Sequence, residues 1–343
     1  MALTINTNLS SLIAQKNLKT STNALNTAIE RMTTGYKINN SKDNAAGYSI
    51  ANMWSTQLSS LDVAADNAAT GMDMLTTAEE TYSLLSDHLQ RIRDLTEQAS
   101  NGTYGSASLK AIQSEVYSRF QEISRIANNA EFNGIKLMQF DKATGADNSK
   151  VGLTANGVNL QVGLYADVNS RINLSIDLFE NATVSGLFNG LLTSPNSISG
   201  KSLTYILQKA SNNAFTQGTL NQEAGLKTIA AACCGLNYVN DTTYYLQKDK
   251  DATAREMLTF LDLAISELTD RSTQIGAAQN RVESAITALD VQTQNMTSSL
   301  STLRDADVAE ESSNYIQAQI LQQASATLLS TANQLPSIAL SLI

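Results

Sequence analysis

The side chains able to carry chemistry are few and poorly grouped. His88 is the one histidine and Cys233 and Cys234 are the two cysteines of a 343-residue chain. A four-ligand zinc site or a His-rich metal cluster lacks ligands, and two adjacent cysteines cannot build a disulfide framework. General acid–base work by histidine has a single candidate. Glu79-Glu80 and Glu310-Glu311 read as solvated helix faces, His88 as an exposed or half-packed helix residue, and Ala231-Ala232-Cys233-Cys234-Gly235 as a run holding two small apolar thiols. The chain has no G-x-x-x-x-G-K-[ST], G-x-G-x-x-G, H-E-x-x-H or G-x-S-x-G pattern. The expectation is no catalytic residue, no metal and no cofactor: not an enzyme.

Composition points the same way. Asp plus Glu number 32 against 23 Lys plus Arg, a formal net charge of −9, and charged residues are 16% of the chain. Ordinary globular proteins carry about a quarter. Aromatic residues are 6% and hydrophobic residues 42%, so the core must be Leu, Ile and Ala. An acidic chain without Lys/Arg clusters is a poor partner for nucleic acid. No stretch approaches the roughly 18 apolar residues of a membrane span. Met1 to Asn26 lacks the basic region and continuous apolar run of a secretory signal.

The elements that would position any site are long helices. Between Ser55 and Ser100 there is no Pro, and Leu58, Leu61, Ala65, Ala68, Met72 and Leu75 step by three and four. After one slip the pattern resumes at Tyr82, Leu85, Leu89 and Ile92, one apolar stripe that Asn101-Gly102 is expected to end. A second helix carries Leu109, Ile112, Val116, Phe120 and Ile123 on one face. Leu261, Leu268, Ile275, Val282, Leu289, Met296 and Leu303 form a strict heptad, while the intervening seam mixes Ile265, Ala278, Ala285, Ile286 and Leu300 with Ser272, Gln279 and Gln292. That pattern predicts an irregular bundle rather than a two-stranded zipper. Two long stripes far apart in sequence need each other, which predicts an antiparallel helical rod.

The middle differs. Alternation at Leu160, Val162 and Leu164, and at Ile172, Leu174, Ile176 and Leu178, around the turn 166–170 predicts a β-hairpin. Residues 181–250 are rich in Asn, Ser, Thr and Gly and read as a small inserted outer domain. Both prolines, Pro195 and Pro336, are expected outside the long helices. The two ends are amphipathic helices with few charges: Leu3, Ile5, Leu9, Leu12, Leu18, Leu25 and Ile29 at one, Ile316, Ile320, Leu328, Leu342 and Ile343 at the other. An apolar stripe opposite a Ser/Thr/Gln face suits packing on both sides, as between subunits that order one another.

One stretch is specific. Thr34-Gly35-Tyr36-Lys37-Ile38-Asn39-Asn40-Ser41-Lys42-Asp43-Asn44-Ala45-Ala46-Gly47-Tyr48-Ser49-Ile50-Ala51 resembles the loop after the first helix of bacterial flagellins. The resemblance continues through Leu89 to Leu95, Ala99 to Thr103, Ile112 to Val116, Phe132 to Leu137, Ala277 to Arg281, Arg304 to Glu310 and Ala332 to Pro336, in the family's order. It departs at Met32-Thr33-Thr34-Gly35, where a Leu-Ser-[ST]-Gly run is usual, and at the large Tyr36 and Tyr48.

The resemblance implies a mainly α fold: a long antiparallel helical rod from both chain ends, with a β-hairpin and a small inserted outer domain. It implies inner-tube helices at 1–45 and 303–343, rod helices at 46–140 and 255–302, a hairpin at 141–180 and a variable exposed domain at 181–254. Its function would be a self-assembling filament subunit, a helical homopolymer supporting motility, secreted through a type III route to the bacterial flagellum. Its partners would be copies of itself, an export chaperone, and cap and hook-associated proteins. Assembly and core positions would be Leu9, Leu12, Leu18, Leu25, Ile29, Leu261, Leu268, Ile275, Val282, Leu289, Met296, Leu303, Ile316, Ile320 and Leu328. Many relatives are also ligands of Toll-like receptor 5, which places Gln90, Arg91, Leu95 and Glu115 at a receptor face, Leu95 as its apolar contact. The alternatives are a hook–filament junction protein and an adhesin acting through 140–255.

Overall fold

The structure is a computed structural model that describes residues 8–138, 140–141, 146–147, 157–193, 223–240, 243–246 and 250–340. Leu3, Ile5, Pro195, Leu342 and Ile343, and the stretch 194–222 of the expected outer domain, lie outside the described residues. What is described is mainly α. Its helices are α1 (Leu9–Thr34), α2 (Ala45–Ala99), α3 (Ser106–Asn129), α4 (Val184–Thr193), α5 (Glu223–Cys233), α6 (Lys250–Arg304) and α7 (Val308–Leu340). Antiparallel two-stranded ribbons join β1 (Glu131–Phe132) to β2 (Ile135–Lys136), β3 (Phe140–Asp141) to β4 (Ala146–Asp147), β5 (Val158–Gln161) to β6 (Arg171–Leu174), and β7 (Leu236–Asn240) to β8 (Thr243–Leu246). No helix among the described residues is long and apolar enough to cross a membrane. The chain divides into two compact units, one from Met1–Asp62 with Asp290–Ile343, the other Val63–Leu289.

In the first unit α1 pairs with α7. Asn8 caps α1 by accepting from Ser11 N at 3.0 Å, and Gly35 ends it in the left-handed conformation at φ 75°, its N–H donating to Arg31 O at 2.8 Å. Asp307 Oδ1 caps α7 by accepting from Ala309 N at 2.8 Å. Contrary to the expectation for prolines, Pro336 lies within α7. Proline cannot donate to the carbonyl four residues back. That carbonyl, Ala332 O, accepts instead from Asn8 Nδ2 at 2.7 Å, so the first cap of the chain serves the last helix.

The second unit has one continuous core. Along α2 one seam of buried positions runs through Ala64, Ala68, Gly71, Leu75, Ala78, Tyr82, Leu85, Leu89, Ile92, Thr96 and Ala99 in alternating steps of three and four, with Met74, Thr81 and Leu95 also buried along its flank. The expected slip is absent. Ala65 and Met72 flank the seam, which runs instead through small residues that carry no hydrophobic signal. The α6 seam is Met257, Leu261, Ala264, Leu268, Arg271, Ile275, Ala278, Val282, Ala285 and Leu289, so Ile265, Ser272, Gln279 and Ile286 lie beside it. Gln279 Nε2 donates to Glu79 Oε2 at 2.8 Å and Arg93 Nε to Asp262 Oδ1 at 2.5 Å, which makes α2 and α6 antiparallel here as expected.

Arg271 is the exception in an apolar seam. Its buried guanidinium meets Glu180 Oε2 and Glu267 Oε1, each at 3.1 Å, and donates to Glu180 O at 3.2 Å. The pairing satisfies a buried cation and ties the 180–181 backbone to α6. Nearby, the Tyr82 hydroxyl donates to Leu178 O at 2.9 Å, and burial pushes that phenol up to about 12.

Two of the expected local structures take a different form. α2 ends at Ala99, yet Gly102 does not adopt the left-handed conformation, so Asn101-Gly102 is not a glycine cap. The chain turns through Ser100 Oγ donating to Glu97 O at 2.7 Å and Thr103 N donating to Asn101 Oδ1 at 3.3 Å. The predicted hairpin forms, with Leu160 opposite Ile172, but Leu178 belongs to a 3-10 turn over Ile176–Phe179 rather than to a strand. It docks where Gly71 leaves a notch in α2: a Cβ there would lie 2.3 Å from Leu160 Cδ1.

The described segments of 181–254 are not a separate layer either. Val184, Leu187, Phe188 and Ile229 to Cys234 share the core of α2, α3 and α6, with the Phe120 and Phe188 rings edge-on at 6.0 Å. In the β7–β8 ladder Tyr238 pairs with Tyr244 and Asn237 with Tyr245.

Candidate functional site

The two cysteines are out of reach of solvent. Both cysteines are free and fully buried, and burial pushes the Cys233 thiol up to about 12. A thiol held protonated is neither nucleophile nor ligand. His88 is half-buried on α2. Among the described residues no group of His, Cys, Asp and Glu could hold a metal. Glu310 is a solvated helix residue as expected, but Glu311 is buried and ion-paired with Arg31 at 2.9 Å. Its pairing partner comes from the other end of the chain, which no local pattern reveals.

The functional geometry lies in how α1 and α7 meet. The buried residues of α1 are Ala14, Ser21 and Ala28, seven apart, and among the described side chains of α7 they are Glu311, Ala318, Ser325 and Ala332, again seven apart. Polar contacts run antiparallel beside this seam: Ser11 Oγ to Asn333 Oδ1 at 2.7 Å, Gln322 Nε2 to Thr22 Oγ1 at 3.2 Å, then Arg31 to Glu311. Small seam residues let two helix backbones approach closely, since interaxial distance follows side-chain size at the contact.

The large apolar residues expected at assembly and core positions of these two helices mostly face outward. Leu9, Leu12, Ile29, Ile316, Ile320 and Leu328 are exposed, from 43% at Ile29 to 66% at Leu12, while Leu18 and Leu25 are half-buried. The small heptads, not these six positions, fill the seam between the two helices. In the α6 heptad, Leu261, Leu268, Ile275, Val282 and Leu289 are buried, and Met296 and Leu303 are half-buried.

The specific stretch after α1 is a knot between the two chain ends. Lys37 N donates to Arg304 O at 2.7 Å and Ala306 N to Gly35 O at 2.9 Å, a short antiparallel bridge. The Arg304 guanidinium lies 4.1 Å from the Tyr36 ring centre, a cation–π contact that uses the unusual Tyr36. Asp43 Oδ2 accepts from Asn40 N at 3.1 Å, Asn44 Oδ1 caps α2 by accepting from Gly47 N at 2.9 Å, and Ile38 is buried. Gly47 packs closely here: a Cβ would lie 2.8 Å from Ile38 Cδ1, so that side chain would have to shift. Thus the motifs 34–51 and 304–310, separate in sequence, are joined in space.

In the second unit Arg91 Nε lies 3.4 Å from Glu115 Oε1, with side chains 50% and 40% exposed, and Arg119 Nη2 reaches the same oxygen at 3.1 Å. Gln90 is exposed and donates to Ser86 Oγ at 3.4 Å. Leu95 is only 3% exposed: it lies in the core and cannot be a surface apolar contact in this conformation. Arg91, Glu115 and Arg119 therefore form one charged face bridging α2 and α3.

The terminal helices thus bury small residues against each other and leave large apolar residues exposed. Comparison identifies the family. Residues 5–143 match the bacterial flagellin N-terminal helical region and residues 258–343 the bacterial flagellin C-terminal helical region. The chain is 32% identical, over the full length of both proteins, to polar flagellin F of Vibrio parahaemolyticus and to flagellin C of Vibrio cholerae. A crystal structure of Bacillus cereus flagellin is similar over 68% of this chain and 94% of its own, at 20% identity and a TM-score of 0.40. The chain belongs to the bacterial flagellin family. It is a structural subunit of the flagellar filament, not an enzyme.

Proposed function

We propose that the chain builds its filament by burying the outward apolar faces of α1 and α7 among neighbouring copies. The observation that carries this is the segregation of small residues inward and large ones outward on both terminal helices. Residues 1–45 and 303–343 would form the inner tube, 46–140 and 255–302 the surrounding rod with the 141–180 hairpin, and 181–254 the face turned to the medium. Contacts between copies that do not close on themselves generate an open helical polymer. Each buried Leu or Ile contributes about 1.5–3 kcal/mol, which repetition along a filament multiplies. Delivery would be by the flagellum-specific type III route to the cell exterior, with an export chaperone and with cap and hook-associated proteins as partners. Electron microscopy of the purified chain after seeding with short filament fragments tests the reading: elongated filaments are expected, and a population that stays monomeric would refute it.

The charged face supports a second role as a ligand of Toll-like receptor 5, with Arg91 and Glu115 in direct contact, Gln90 beside them and Leu95 holding α2 in place from beneath. Truncating an interface arginine typically costs about 1–2 kcal/mol, on the order of a tenfold loss of affinity. Arg91→Ala is expected to weaken binding of the monomer to the receptor ectodomain by about that factor. Because the exposed Arg91–Glu115 pair adds little to folding, its melting temperature should hold. Equal binding by wild type and variant removes Arg91 from the site.

A further inference from the structure

We propose that Asn101 is a site of spontaneous modification, in which its side-chain amide is converted through a cyclic imide to aspartate and isoaspartate. The reaction needs a backbone nitrogen that can reach the side-chain carbonyl carbon. Glycine on the C-terminal side permits this best, because no Cβ hinders the approach. Asn101-Gly102 lies in the turn between α2 and α3, and Asn101, Gly102 and Thr103 are all exposed. The Asn101 side chain is folded back along its own chain, since Oδ1 accepts from Thr103 N at 3.3 Å. The hydrogen bond holds the side-chain carbonyl against the backbone of its own turn, next to the exposed Gly102, and polarises that carbonyl toward attack.

The step balances without an oxidant or reductant. The Gly102 nitrogen forms a bond to Asn101 Cγ, the Cγ–Nδ2 bond breaks, and Nδ2 leaves as ammonia with the proton lost from Gly102. Water then opens the ring at either carbonyl, giving aspartate or the isoaspartate linkage. Both products place a carboxylate just beyond the C-terminus of α2, the negative end of the helix dipole. The isoaspartate also lengthens the backbone of the turn that sets α3 against α2.

Other Asn-Gly pairs with both residues described are held differently. Asn133-Gly134 sits in the β1–β2 turn with φ 48° and 79°, and Glu131 and Phe132 pair with Lys136 and Ile135 on either side. That two-residue turn fixes the backbone in left-handed geometry. Asn189-Gly190 lies inside α4, where a backbone nitrogen is engaged in the helical ladder.

The test is peptide mapping by mass spectrometry of the full-length chain kept in warm, mildly alkaline buffer, with fragmentation that separates aspartate from isoaspartate. Conversion at Asn101 is expected several-fold faster than at Asn133, with isoaspartate present at Asn101. Gly102→Ala should slow it several-fold more; Gly102 is exposed and not left-handed, so alanine brings no left-handed backbone strain there. An unconverted Asn101, or one converting no faster than Asn133, overturns the proposal. So does a conversion rate indifferent to Gly102→Ala in a variant with unchanged circular dichroism. The wild-type comparison decides the matter without any variant.

Discussion

Ile275→Asp is expected to unfold the Val63–Leu289 unit, seen as loss of its cooperative melt by circular dichroism. Ile275 is fully buried on the α6 seam, with Arg271 and Ala278 at the neighbouring seam positions. The substitution removes about 1.5–3 kcal/mol of apolar burial. It also places a carboxylate on a seam whose one buried cation among the described residues of α6, Arg271, is already engaged with Glu180 and Glu267. Burying an uncompensated charge or polar group adds at least several kcal/mol. Domain stabilities are about 5–15 kcal/mol, so the two effects together are comparable to the whole. Gln274→Asp, one residue away and exposed, is the control and should shift stability by no more than about 0.5 kcal/mol. A normal melt for Ile275→Asp would show that the heptad of α6 is not a core seam.

That heptad was legible because its residues are large. Leu261, Leu268, Ile275, Val282 and Leu289 announce a buried face by hydrophobicity alone, as do Leu109, Val116 and Phe120 on α3. What sequence could not show is where small residues are buried. Ala64, Gly71, Ala78 and Thr96 complete the α2 seam, and Ala14, Ser21 and Ala28 the α1 seam, only because a partner approaches closely enough to cover them. Regular spacing of seven was available as a signal at both Ala14/Ser21/Ala28 and Ala318/Ser325/Ala332, but it is silent on a hydropathy scale. Arg271 illustrates the opposite case: a charged type reads as surface until Glu180, from a distant segment, is known to meet it.

The candidate sites divide the same way. The flagellin motifs named the right segments, and Arg91 and Glu115, 24 residues apart, do meet across two helices. Leu95 sits four residues beyond Arg91, near enough in sequence to suggest the same face. At 3% exposure it belongs to the inner side of α2, a distinction that depends on which stripe the partner helices choose. The knot at 35–37 and 304–306 was invisible as a unit for a related reason. It is made by backbone hydrogen bonds between segments at opposite ends of the chain, and backbone groups have no residue type to read.

Ile320→Asp combined with Leu328→Asp is expected to leave a folded monomer that cannot form filaments. Both side chains are about three-fifths exposed, at 60% and 61%, so the monomer loses little when they become polar. Surface changes of this kind cost within about 0.5 kcal/mol each. In a filament the same positions would be buried in every copy, and each carboxylate would then cost several kcal/mol of desolvation. Circular dichroism should therefore overlay that of wild type while seeded elongation, followed by light scattering and electron microscopy, falls to background. Ala318→Leu reverses the logic, because Ala318 lies in the small seam between α7 and α1. Overpacking there costs about 1–3 kcal/mol and should loosen the helix pair before any neighbour is involved. If the double aspartate variant elongates normally, the outward apolar residues are not the assembly surface. If Ala318→Leu instead leaves the pair intact, small-residue packing does not hold the two chain ends together.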